Sequence, residues 1–132
     1  MRKRLLASLS ALALLTVVGT SGVAASHVSS ELIAGNPTCN GTKIDPVNAG
    51  TYNLVGGGTI TITLGAGNTF TFTVDGADVT SIVVKGGPNA LLYTNPGEGS
   101  ILHAQVNPNN GKYYGLSHLC INSEKDGGGG KK

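Results

Sequence analysis

Two neighbouring segments alternate strictly between threonine and apolar residues. Residues 59–64 read Thr-Ile-Thr-Ile-Thr-Leu, and in residues 68–74 the apolar residues Phe70, Phe72 and Val74 each follow a threonine. Successive side chains of a β-strand point to opposite faces, so each segment has one apolar face and one hydroxyl-bearing face. The alternation therefore predicts two strands of a sheet with one buried face, joined by a short hairpin loop at residues 65–67.

Other segments continue this pattern at short, regular spacing. Gly, Pro, Asn and Asp cluster between them, which is typical of tight turns, and no segment after the first 25 residues has a capped helical period. The sequence therefore predicts an all-β fold, a single small antiparallel β-sandwich of immunoglobulin-like or prealbumin-like type; a small β-barrel is the alternative. The further predicted strands are 51–54, 79–85, 90–94, 101–106 and 116–121, of which 79–85 should be central because residues 82–84 are apolar on both faces.

The N-terminus carries an export signal. Basic residues at positions 2–4 precede an apolar run over residues 5–18 and small residues up to Ala25, the order typical of a secretory signal peptide. The alternative, an uncleaved membrane anchor, would need about 20 apolar residues. We therefore expect cleavage after residue 25, a secreted, extracellular product and no membrane association after cleavage.

Cleavage changes the charge balance. The full chain has 9 Lys+Arg and 7 Asp+Glu, and loss of the signal leaves six basic and seven acidic residues. So little positive charge argues against a nucleic-acid partner. The remaining 107 residues suffice for one domain, which we predict as a flexible lead (26–38), a disulfide-closed β-domain (39–122) and a flexible Gly/Lys tail (123–132).

Cys39 and Cys120 are the only cysteines. Exported chains meet an oxidising environment, so an even count predicts one disulfide. Zinc sites usually need four ligands, often with paired Cys-x-x-Cys spacing, and neither cysteine has such a neighbour. We expect a disulfide, no metal site and no cofactor.

A set of aromatic, basic and histidine residues forms the candidate ligand-contact surface. Aromatic rings beside amides and cations suit sugars or peptide chains; the alternative is ordinary use in the core and in turns. The expected partner is a cell-wall polymer, a carbohydrate or another surface protein, bound by a monomer. The candidate residues are Lys85, Tyr93, His103, Lys112, Tyr113, Tyr114 and His118.

No catalytic set stands out. Ser117 and His118 are adjacent, so in a strand they point to opposite faces and do not pair as nucleophile and base. The prediction is a non-enzymatic domain with a structural, adhesive or wall- or matrix-associated binding role. A secreted enzyme or inhibitor acting through His103 and His118 is the alternative. A Lys43–Asn122 isopeptide cross-link is a further hypothesis.

Two longer motifs carry a family resemblance. Residues 84–88 read Val-Lys-Gly-Gly-Pro, and residues 115–118 read Gly-Leu-Ser-His shortly before Cys120. With these motifs the segment 39–120 resembles a group of small secreted proteins and surface-protein modules of Gram-positive bacteria, especially actinobacteria. The resemblance implies a secreted or surface-attached domain and no particular activity. The chain departs from the group in the shorter spacing between His118 and Cys120.

Overall fold

The structure, a computed structural model, describes residues 28–125. The predicted signal peptide and residues 126–132 of the predicted tail lie outside this range. The described residues contain nine strands and no helix. The strands are β1 (Ser30–Ala34), β2 (Thr42–Ile44), β3 (Gly50–Asn53), β4 (Thr59–Leu64), β5 (Thr69–Asp75), β6 (Ala77–Gly86), β7 (Asn89–Thr94), β8 (Leu102–His103) and β9 (His118–Lys125).

The strands form two antiparallel sheets. One has the order β1-β7-β6-β9-β2 and the other the order β3-β4-β5-β8. No described strand pairs across the two sheets, so the fold is an open β-sandwich and the barrel alternative is wrong. β6 lies at the centre of the five-stranded sheet, as its doubly apolar run predicts.

The core lies between the two sheets. On the four-stranded sheet Ile60 and Ile62 of β4 pair with Val74 and Phe72 of β5, while the intervening threonines face outward. Each fully buried aliphatic or aromatic side chain contributes about 1.5–3 kcal/mol relative to exposure. The largest fully buried side chains are Tyr93, Phe70, Phe72, Ile44, Ile60, Ile62, Ile82, Leu102, Leu119, Ile121 and Val84.

The structure corrects three predicted boundaries. The sheet begins inside the predicted lead, because β1 pairs along its whole length with β7. β1 is an edge strand and its Leu32 is 56% exposed. Its sequence therefore lacks the alternation of apolar and polar residues that marks a half-buried strand. The predicted strand 101–106 is reduced to Leu102–His103, and β9 runs on to Lys125, past the predicted boundary at Asn122.

The predicted disulfide is present and pins a connection across the outer face of the five-stranded sheet. β1 and β2 follow each other in the chain but occupy opposite edges of that sheet, about 19 Å apart at the usual strand spacing. Residues 35–41 must therefore cross it nearly extended. The Cys39–Cys120 bond places this crossing outside, because Cys120 faces away from its core neighbours Leu119 and Ile121.

Reduction of this disulfide should strongly destabilise the domain. The bond closes a loop with a sequence separation of 81, for which the chain-entropy model gives about 4–5 kcal/mol. Guanidinium unfolding with and without reductant measures the loss. A Cys39→Ser/Cys120→Ser double variant should unfold at the same guanidinium midpoint as the reduced protein, and reductant should not change that midpoint. Equal midpoints for oxidised and reduced wild type would contradict the expectation.

Candidate functional site

An open groove lies at one end of the sandwich, which we call the hairpin end. This end carries the β4–β5 turn, the β6–β7 turn and the loop 104–117. The groove has a volume of about 530 Å³, within the range of small-ligand sites. Its lining combines a tyrosine, an aliphatic side chain, a lysine and an amide: Gly67, Asn68, Val106, Gly111, Lys112 and Tyr113.

Asparagine side chains shape the loop that forms one wall. The Oδ1 atom of Asn107 accepts a hydrogen bond from Asn109 N at 2.9 Å, and Asn110 Oδ1 accepts one from Lys112 N at 2.9 Å. Such bonds let asparagine stabilise turns locally. The Asn110 amide oxygen therefore holds the backbone of Lys112 at the rim of the groove.

Tyr113 forms an aromatic wall fixed from two sides. Its ring stacks on the His103 ring with centroids 3.7 Å apart and an interplanar angle of 7°. Its carbonyl accepts a hydrogen bond from Asn68 Nδ2 at 3.1 Å. One ring face is thus covered by histidine while the tyrosine lines the groove, so a ligand would meet a preorganised platform.

Tyr93 supports this wall from inside the protein. Its hydroxyl donates to His103 O at 2.9 Å and accepts from His103 N at 3.2 Å, so one oxygen satisfies both backbone groups on the free edge of β8. Tyr93 is only 2% exposed, and burial raises the pKa of its hydroxyl despite the bond to His103. Its place in the candidate surface is therefore corrected: Tyr93 positions His103 and is not a surface contact.

The His103 ring has a defined proton position. Its Nδ1 lies 2.9 Å from Ala104 O, and a carbonyl only accepts, so Nδ1 carries the proton of the neutral ring. Nε2 is then an acceptor.

Lys85 and His118 do not line the groove. They pair opposite each other on β6 and β9 of the five-stranded sheet, whereas His103 belongs to the four-stranded sheet. Lys85 Nζ donates to Gly87 O in the adjacent turn, and His118 is 8% exposed. The two histidines therefore do not share a cleft, and a mechanism that uses both has no geometric support.

Tyr114 packs on the β6–β7 turn. A Cβ atom at Gly87, whose φ is +67°, would lie 2.5 Å from Tyr114 Cδ2. The glycine thus provides both the turn conformation and the room for the ring. This contact gives a structural reason for the second glycine of the Val-Lys-Gly-Gly-Pro motif.

The structure also bears on the cross-link, metal-site and membrane-anchor hypotheses. Lys43 Nζ lies 4.0 Å from Asp45 Oδ2 with both side chains half exposed, and Asn122 Nδ2 donates to Ser81 Oγ at 2.9 Å, so the cross-link partners are engaged separately. Between residues 28 and 125 no three His, Cys, Asp or Glu side chains are grouped to hold a metal. No helix there has the length and hydropathy to cross a membrane.

Sequence reasoning missed Asn68 and Val106 as groove residues. Asn68 has a φ of 63° in the β4–β5 turn, and an asparagine after a glycine is a signal for that conformation. Its contact with Tyr113, 45 residues away, has no local signal. No family model, no curated protein and no solved structure matches the chain.

Replacing Tyr93 by Phe should destabilise the domain. The change leaves His103 N–H and C=O without their hydroxyl partner, which costs about 1–3 kcal/mol when such groups are shielded from water. Urea unfolding measures the loss. Tyr52→Phe is the matched control, because it removes one exposed hydrogen bond to Asn48 O and should cost less. Equal losses in the two variants would contradict a bridging role for Tyr93.

His118 should make the domain less stable in mild acid. Burial lowers the pKa of His118 below its ordinary 6.5, and Lys43 lowers it further, while Asp45 opposes them. Below about pH 6.5 the unfolded chain then takes up a proton before the native protein does. The contribution of His118 to the free energy of unfolding should be fully present above pH 6.5. It should decrease as the pH falls from 6.5 towards the pKa of His118 in the native protein.

Denaturant unfolding between about pH 5 and pH 8 tests this. The His118→Gln variant should lose the part of the pH dependence of stability that His118 causes. Lys43→Gln should make that part smaller, because Lys43 lowers the pKa of His118, and Asp45→Asn should make it larger, because Asp45 raises that pKa. A wild-type curve that parallels that of His118→Gln, or an NMR titration giving His118 a pKa above 6.5, would refute the assignment.

Proposed function

We propose that this chain is a secreted, non-enzymatic binding module whose groove at the hairpin end holds an extracellular polymer of the cell wall or its surroundings. The observation that carries the proposal is the fixed Tyr113 platform beside Lys112 and Asn68. An aromatic face with a neighbouring cation and amide combines apolar contact area with a few polar groups that orient a ligand, as small-ligand sites generally do. The predicted signal peptide supports secretion, and the disulfide suits an oxidising environment.

The chemistry of the groove favours binding over catalysis. Its six lining residues include no carboxylate, serine or cysteine. Lys112 and Tyr113, the titratable side chains of the lining, therefore have no such group in it to act with as a nucleophile or general base. His103, the nearest imidazole, has its Nδ1 on Ala104 O and one ring face on Tyr113. Its role in this proposal is to support the platform. The resemblance to Gram-positive surface modules points the same way.

Binding of purified cell-wall polysaccharides and matrix proteins to the secreted chain tests the proposal. Tyr113→Ala should weaken binding about tenfold, or roughly 1.4 kcal/mol, because it removes the platform while leaving the core. Leu32→Ala is the control: it truncates an exposed side chain on β1, away from the groove, and should bind like wild type.

Denaturant unfolding of both variants shows that any loss is local. Binding of none of the polymers would overturn the proposal. Equal affinity of wild type and a folded Tyr113→Ala variant would also overturn it, because the groove would then not be the site.

A further inference from the structure

Most of the described carboxylates lie at one end of the sandwich. At the end opposite the groove, where Gly76 joins β5 to β6, carboxylates predominate. Asp78 pairs opposite Glu124, and the Glu98 carboxylate accepts a hydrogen bond from Val74 N at 3.0 Å. The charged residues of this end are Asp75, Asp78, Glu98, Glu124 and Lys125.

The half of the sandwich towards the hairpin end has a slight excess of basic residues. Lys43, Lys85 and Lys112 are basic there, and Glu31 and Asp45 are acidic; Glu31 lies level with Lys43, on the opposite edge strand β1. β6 connects the two ends over ten residues, about 30 Å, which far exceeds the roughly 8 Å Debye length at physiological ionic strength. The carboxylates at the opposite end therefore have little effect on a charged ligand beside Lys112.

Lys112 is the cation available to a ligand. Lys43 lies beside Asp45 and Lys85 donates to the Gly87 carbonyl. Lys112 is exposed, lines the groove, and its ammonium has no acceptor among residues 28–125. A carboxylate or other anionic group of a ligand could therefore pair with the Lys112 ammonium.

The backbone around the groove disfavours an added peptide strand. β8 is the edge strand beside the groove, and a peptide that extends the sheet would need its free N–H and C=O groups. The Tyr93 hydroxyl already binds both such groups of His103. Recognition must therefore come from side chains: an aromatic face, an amide and an ammonium.

We propose that the groove selects an acidic polysaccharide, in which one sugar ring packs on the open face of Tyr113 and its carboxylate pairs with Lys112. This inference rests on the proposed binding function and names its ligand class. The apolar face of a pyranose fits a flat aromatic platform, and the ammonium supplies the charge selection. Asn68 stands beside the platform as a further polar contact.

Isothermal titration with three polymers tests the ligand class. The probes are polygalacturonate, neutral dextran and poly-L-glutamate, each with wild type, Lys112→Gln and Lys125→Gln. Wild type should bind polygalacturonate at least tenfold more tightly than either other polymer, and the affinity should fall with added salt. Lys112→Gln should lose about tenfold, whereas Lys125→Gln removes the same charge at the far end and should bind like wild type.

Each of the other outcomes of these titrations contradicts one part of the proposed ligand recognition. Equal binding of dextran and polygalacturonate, with loss on Tyr113→Ala, refutes the acidic ligand and leaves the binding module standing. If poly-L-glutamate binds as tightly as polygalacturonate, the groove recognises charge alone, and the assignment of a saccharide ligand is wrong. Unchanged affinity in Lys112→Gln refutes the ion pair. If none of these polymers and no wall or matrix polymer binds, this inference and the proposed function fail together.

Discussion

Contact between two apolar sheet faces determines where every other part of this domain lies. Ile60, Ile62 and their neighbours on β5 face the apolar side chains of β6 and β9. Because strand side chains alternate, this single contact also decides which residues point outward: threonines on one sheet, and Lys85 with His118 on the other. Burial of the aliphatic and aromatic layer is the main favourable term in folding, and the polar features follow from it.

The groove depends on the core through a short series of contacts. The Tyr93 ring is part of the buried layer, and its hydroxyl fixes the backbone of His103. The His103 ring supports Tyr113, and Asn68 of a neighbouring hairpin holds the Tyr113 carbonyl. The groove is therefore an extension of the sandwich core and not an independent loop, which is how a scaffold keeps a site in one geometry.

Local patterns predicted what local physics controls. The alternation over residues 59–64, the central position of β6 and the pairing of the two cysteines all follow from short-range or compositional signals. β1 escaped prediction because an exposed edge strand has no buried face to impose a period on its sequence. The division of the candidate surface between two sheets, and the place of Asn68 in the groove, depend on long-range contacts that residue spacing does not encode.

The crossing of residues 35–41 has a consequence for self-association. Unpaired strand edges are templates for pairing with other chains, and the two edges of the larger sheet, β1 and β2, are joined by this one short segment. Anchoring it to Cys120 holds both edges against their neighbours at once. A chain without this bond would release both edges together, so oxidation is also a safeguard against intermolecular strand pairing.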